Sequence, residues 1–389
     1  MNAFVKKLIG TLVTLGLLYV LIQASWYNYL FKGVYSTYLQ GHTTANLFDA
    51  AYFDQGIIHA PPVGMPWPEA KSLEWAPSTA VQHTLDIYET GAFLVIYQDS
   101  IRYEDYGHKV MKSSRTNSFS MAKSILTMMV EVAIESGDLP GWDALAMDYV
   151  KQLHGPGASR LTLAHLTGMV ADLDWDEDYY NPFGITAKAV YGRDLRATVT
   201  RCAVGDQVGQ RYAYQSGATA LLGFCLEEAT GMPLHEYASE KLWFPLGAEM
   251  DASWHLDDVG AAISFSCFNA TARDFARIGH LVLNQGNAFG KQLMDSSFFA
   301  TATDPGLAKF YGYSFWLGDA PSPDPTSEAT RPFVALRGHL GQWIITFPGL
   351  DLIIVRTGHA EGPAVGEALP ASFMAVASAY AWKLPVASP

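Results

Sequence analysis

Ser120-Met121-Ala122-Lys123 opens a stretch of helical periodicity, and a serine and a lysine at that spacing could carry out nucleophilic catalysis. A serine becomes a nucleophile when a base lies within hydrogen-bond reach, and a lysine three positions on lies on the same helix face, one turn away. At a helix N-terminus the serine also keeps a backbone N–H free for a developing oxyanion, and the positive end of the helix dipole favours that charge. Lys123 can take a proton only when neutral. Bringing an ordinary lysine from about 10.4 to about 7 costs roughly 4.6 kcal/mol, which burial and neighbouring positive charge can supply. Alone the pair says little, because S-x-x-K arises by chance in most chains of this length.

Two further segments add chemistry. Tyr214-Gln215-Ser216 follows Val208-Gly209-Gln210-Arg211-Tyr212 and precedes a helical run from Ala218 to Thr230, ended by Gly231. A phenol beside a lysine can carry a proton from nucleophile to leaving group, and Ser216 can relay or bind. Taken singly, Tyr214 is equally one of 20 tyrosines at a core edge. In Arg337-Gly338-His339-Leu340-Gly341-Gln342-Trp343 the glycines would let a strand approach a ligand closely and offer a second oxyanion donor. A glycine bulge with a solvated histidine fits the same residues.

The elements that must position these groups can be read from periodicity. Phe93 to Tyr97 and Ile101 to Tyr106, around Gln98-Asp99-Ser100, predict a hairpin. Ile125, Met128, Met129 and Val132 predict a helix over Ser120 to Ser136, with Gly137 as its C-cap. Trp343 to Phe347 and Leu352 to Arg356, either side of Pro348-Gly349, predict a second antiparallel hairpin, and an apolar helix from about Ala371 to Trp382 closes the chain. Residues 138 to 260 read mostly as helical patches, 32 to 80 as an irregular Gly-, Pro- and aromatic-rich wrap, and Ala320 to Pro332 as the least ordered surface segment. The expected fold class is α+β, an antiparallel sheet flanked by helices plus an inserted all-helical domain. The expected units are 1–31 as a membrane anchor, 32–85 as the wrap, 86–130 with 261–389 as a discontinuous sheet domain, and 131–260 as the helical domain.

Phe119-Ser120-Met121-Ala122-Lys123-Ser124, Trp175-Asp176-Glu177-Asp178-Tyr179, Tyr212-Ala213-Tyr214-Gln215-Ser216, Asn269 to Gly279 and Gly338-His339-Leu340-Gly341-Gln342 occur in that order. Together they resemble the serine β-lactamase and DD-peptidase superfamily, class C-like, and most nearly hydrolases of the 6-aminohexanoate-dimer type. The resemblance implies a β-lactamase/transpeptidase-like fold with Ser120 as acylated nucleophile, Lys123 as its base partner and Tyr214 as general base and acid. It implies substrate or oxyanion contacts from Ser216, Tyr179, His339 and Gly341, with no cofactor and no metal. Where lactamases carry Lys-Thr-Gly on the wall strand, this chain has no lysine. The equivalent triplet is either His339-Leu340-Gly341 or lies near Phe333 to Leu336. Class C enzymes have asparagine where Ser216 stands, and no deacylating glutamate of the class A kind can be identified. The implied activity is cleavage of a small amide or ester through an acyl-enzyme. A cell-wall DD-peptidase or weak β-lactamase is the alternative enzyme, and a catalytically silent membrane sensor the alternative of another class.

Composition bounds these readings. The 389 residues are 49% hydrophobic, with 25 basic against 38 acidic side chains and a net charge of -13, which rules out a disordered or fibrous chain. An acidic balance without a basic run argues against nucleic acid as a partner. Cys202, Cys225 and Cys267 form no metal spacing and are expected as buried free thiols. Lys6-Lys7 precede an uncharged stretch from Leu8 to Phe31 that ends in aromatics, as expected of an inner-membrane anchor with its N-terminus in the cytoplasm and a periplasmic catalytic domain. A cleaved signal leaving a secreted protein is the rival reading, but no A-x-A-like site lies near Gln23-Ala24-Ser25. Asp172, Asp174, Asp176, Glu177 and Asp178 begin like a calcium loop, which Glu177 and Phe183 break at positions six and twelve. They read as a solvated acidic loop at the mouth of the site that could attract an amine-bearing substrate end. No HExxH, G-x-S-x-G or Walker loop occurs. Asn269-Ala270-Thr271 is a formal glycosylation sequon that reads better as the start of a helix over Ala272 to Leu283, with Thr271 or Asn269 as cap.

Overall fold

The computed structural model describes residues 3–363 and 369–384. Its main sheet is built from the predicted hairpins. The first strand β1 (Thr90–Tyr97) turns through Gln98 and Asp99 into β2 (Ser100–Tyr106). Both turn residues have positive φ, 51° and 53°, which matches the twist of the flanking strands. Late in the chain β3 (Trp316–Pro321), β4 (Thr330–Gly338), β5 (Gln342–Phe347) and β6 (Leu352–Gly358) complete an antiparallel sheet of order β2-β1-β6-β5-β4-β3. The segment expected to be least ordered is therefore partly strand, with Arg331 paired to Ala320 and Pro332 to Asp319. Its four prolines masked the pattern, and β3 tolerates Pro321 because it is the edge strand.

The central strands are apolar on both faces because both are covered. Phe93, Val95, Ile345 and Ile354 meet Phe373, Val376 and Tyr380 of the closing helix on one side. Leu94, Ile96, Ile344 and Ile353 face the larger core on the other. That core takes in the long apolar helix α2 (Met121–Glu135), then α3 (Ile185–Tyr191), α4 (Ser216–Thr230) and α5 (Ala272–Leu283), with α1 (Ala3–Ala24) standing apart at the N-terminus. Of the two expected caps Thr271 is the one used, accepting from the Asp274 N–H, while Asn269 is buried in the strand that precedes α5. The three cysteines are free and buried.

A second, four-stranded sheet joins Asp54–Ile58, Ala252–Leu256, Phe268–Ala270 and Thr116–Asn117 in that order. Its strands have 5, 5, 3 and 2 residues, too short to register as alternation in the sequence. It draws part of the expected wrap into the body of the fold and carries the chain up to Ser120.

Helix α5 lies tightly on the main sheet at Gly279, where a Cβ would stand 2.7 Å from Ile353 Cγ2 and 2.8 Å from Ile344 Cγ2. Those methyls belong to stiff β-branched side chains that cannot swing away. Gly279→Ala is expected to destabilise by about 1–3 kcal/mol through overpacking, although alanine is the better helix former by about 1 kcal/mol. A lowered urea midpoint at unchanged slope is the expected result, and a midpoint equal to or above wild type would contradict this packing.

Candidate active site

The segment around Ser120 is a strand–turn–helix. Beyond Asn117 the ladder continues as the Ser118 N–H donates to Phe268 O at 2.8 Å. Phe119 then reverses the chain with φ of 45°, a left-handed conformation uncommon for an aromatic residue. Side chains hold that turn: the Phe119 N–H donates to Asn117 Oδ1 at 2.8 Å, and Asn117 Nδ2 donates to buried Asp49 Oδ1 at 3.0 Å. The Asn117 N–H donates to Leu47 O at 3.0 Å, so the N-terminal wrap clamps the turn. Ser120 immediately precedes α2 and does not cap it with its side chain, which leaves the hydroxyl free to react.

Lys123, only 1% exposed, donates to Ser120 Oγ at 3.0 Å, to Ser216 Oγ at 3.0 Å and to Phe265 O at 2.9 Å. No carboxylate lies within ion-pair distance of it among the described residues. Burial lowers its pKa to about 8, against the opposing pull of Glu177 and Cys267. Below that pH the ammonium's three donors match its three acceptors. Above it the amine has two donors and a lone pair, and the Ser120 hydroxyl can donate to it. The folded chain holds this proton less tightly than the unfolded chain, so this group's contribution to stability rises with pH between about 8 and the ordinary lysine value.

Ser216, the first residue of α4, connects the amine to an acid. Its hydroxyl donates to Glu177 Oε1 at 2.5 Å and its N–H to Oε2 at 2.6 Å. Glu177 also accepts from Trp175 Nε1 at 2.6 Å and from the Tyr179 hydroxyl at 2.8 Å. The expectation of a solvated acidic loop therefore fails at Glu177, which is committed to four donors, and at Asp172, whose Oδ2 accepts from the Gln207 N–H at 2.9 Å. The signal was in the motif: in extended chain, Trp175, Glu177 and Tyr179 share one face. Burial raises the pKa of the Tyr214 phenol, against an opposing pull from Ser120, so it holds its proton at neutral pH. Its ring centroid lies 5.0 Å from Lys123 Nζ.

Two clefts open at Ser120, and Ser120, Tyr179 and His339 line both. One, of about 590 Å³, is walled by Phe119, Val190, Tyr191 and Phe265. The other, of about 610 Å³, holds Glu177, Tyr214, Trp316, Arg337 and Glu361. His339 is pushed down to about 4 by burial and by Arg337, so it is neutral, and its Nε2 has no partner among the described residues. Gly341 lies outside both clefts: its carbonyl accepts from Arg356 Nη1 at 2.6 Å, and a Cβ there would stand 2.1 Å from that nitrogen. The glycine that meets the segment leading to Ser120 is Gly338, where a Cβ would lie 2.1 Å from Ser118 O. Arg337 was also missed. Its Nη2 lies 3.2 Å from Glu361 Oε1, leaving Arg337 Nε and Glu361 Oε2 without partners among the described residues.

Residues 80–378 match the family model described as Beta-lactamase. Among curated proteins the chain is similar to 6-aminohexanoate-dimer hydrolase of Paenarthrobacter ureafaciens, 27% identical over 53% of this chain and 55% of that one. It is also similar to a putative D-alanyl-D-alanine carboxypeptidase of Escherichia coli (strain K12), 28% identical over 35% of this chain and 31% of that one. The matched stretches thus span about half, or less, of those relatives' lengths. Among solved structures, a putative 6-aminohexanoate-dimer hydrolase from Bacillus anthracis superposes with a TM-score of 0.67 at 22% identity, over 86% of this chain and 92% of that one. A D-stereospecific amidohydrolase from Streptomyces gives 0.57 at 12% identity, over 73% and 95%. The fold is β-lactamase/transpeptidase-like, and the chain belongs to the β-lactamase family of serine hydrolases.

Proposed function

We propose that the protein is a membrane-anchored, exported hydrolase that cleaves a small linear amide or ester through an acyl-enzyme on Ser120. The observation that carries this reading is the buried Lys123 amine, which touches the Ser120 hydroxyl and has no carboxylate within ion-pair distance among the described residues. The neutral amine takes the proton as Ser120 Oγ attacks the carbonyl carbon. The Ser120 N–H and a backbone N–H from the Gly338–His339 strand end stabilise the oxyanion. Tyr214 then gives its proton to the departing nitrogen or oxygen and recovers one from Lys123. Water attacks the acyl-enzyme by the reverse relay and frees Ser120. Ser216 and Glu177 act as positioning groups that keep the amine directed at Ser120.

The two clefts suggest the substrate. An apolar wall on one side of Ser120 and Arg337 on the other suit a chain with a hydrocarbon portion on one side of the scissile bond and a carboxylate on the other. The names of two relatives, a 6-aminohexanoate-dimer hydrolase and a D-stereospecific amidohydrolase, favour an amide. For the anchor, α1 has 22 residues, none buried, and an 18-residue stretch of it has a mean hydropathy of 1.8. At about 1.5 Å per residue it is long enough to cross a hydrocarbon core of roughly 30 Å.

Ser120→Ala is expected to lower turnover of p-nitrophenyl esters by at least about 10⁴-fold and to abolish labelling by a fluorophosphonate, and a variant that kept either would contradict the assignment. Arg337→Gln is expected to raise KM roughly tenfold or more for substrates ending in a carboxylate while leaving their methyl esters unchanged. Equal losses on both would remove Arg337 from substrate recognition.

A further inference from the structure

Where α1 ends, a cavity of about 780 Å³ opens away from the active site, lined by Trp26, Lys188, Arg193, Thr198 and Arg201, among others. Lys188 is only 8% exposed, donates to Trp26 O at 2.7 Å and sits 3.6 Å from the Trp26 ring centroid. The Arg201 guanidinium lies 4.2 Å from the same ring. Neither has a carboxylate within ion-pair distance among the described residues, and burial, with repulsion from Arg201 added to it, lowers the pKa of Lys188. Arg193 donates to Gln23 Oε1 of α1 and reaches Asp258 at 3.8 Å. Asp194, the one acid in the lining, already accepts from the Ala197 N–H at 2.7 Å. Leaving out Lys6 and Lys7, the chain has 23 basic residues (25 less those 2) against 38 acidic ones, so a cavity with three cations and one committed acid stands out.

We propose that this cavity binds the phosphate headgroup of an anionic phospholipid from the leaflet into which the C-terminal end of α1 emerges. The proposal rests on the membrane-anchor reading above. The cations supply charge-assisted donors to phosphate oxygens, and Trp26 places the site at headgroup depth, where indole rings settle. The headgroup would fix the catalytic domain against the bilayer and offset the repulsion between Lys188 and Arg201.

The test uses the full chain. Membrane fractionation first checks the anchor: a protein released from membranes by high salt or recovered in the soluble fraction defeats the anchor reading and this proposal with it. For protein that stays with membranes, native mass spectrometry of detergent-solubilised chain titrated with phosphatidylglycerol or phosphatidylcholine reads the site itself. The expected result is preferential retention of one phosphatidylglycerol, weakened about fivefold by Arg201→Gln and roughly thirtyfold by Lys188→Gln with Arg201→Gln. The charge-matched pair Lys151→Gln with Lys291→Gln should retain it fully, and all variants should hydrolyse p-nitrophenyl esters at the wild-type rate. Equal retention of both lipids, or equal loss in the control pair, would overturn the site. Displacement of the lipid by millimolar inorganic phosphate would reassign it to a free anion.

Discussion

The structure is organised around an amine that is buried without a direct counter-charge. Lys123 is enclosed by two hydroxyls and one carbonyl, all neutral acceptors. Burial of an ammonium in such surroundings favours its neutral form. Glu177 lies one hydroxyl away, with Ser216 between it and the amine. That separation matters, because a carboxylate in direct contact would hold the proton on nitrogen. The intervening serine keeps enough attraction to orient the amine while burial still lowers its pKa to about 8.

The rest of the fold holds this arrangement rigidly. Two sheets meet beside Ser120: the short one delivers Thr116–Asn117, and the large one brings the end of β4 against Ser118 at Gly338. Between them Phe119 is forced into a left-handed turn that Asn117 and Asp49 fasten from behind. A glycine at 338 and a strained aromatic at 119 are thus two sides of one close approach. Tyr214, just ahead of α4, completes the ring with its proton in place.

Much of this was legible in the sequence. The hairpin through Gln98-Asp99, the helix from Met121, the hairpin across Pro348-Gly349 and the Thr271 cap are encoded locally, in turn residues and apolar periods, and the structure contains all of them. What was not legible depends on contacts distant in sequence. Glu177 reads as one acid among five, because its partner Ser216 is 39 positions away. Strand β3 is hidden by the proline-rich loop that follows it and by Pro321, which its edge position permits, and the strand Asp54–Ile58 finds its partner near residue 254. Gly341 and Gly338 look alike in the motif, but the first accommodates Arg356 and the second approaches Ser118. Arg337 adjoins Gly338 in the same motif, yet its place in the cleft depends on Trp316 and Glu361.

The central claim is that burial lets Lys123 give up its proton near pH 8, well below an ordinary lysine. Its most direct test is an NMR titration of protein carrying ¹³Cε-labelled lysine, with the Lys123 signal assigned from its absence in Lys123→Arg. The account predicts a midpoint near pH 8, with the acylation rate of a p-nitrophenyl ester rising through the same midpoint. A Lys123 that titrates above about 10, like an exposed lysine, would contradict it.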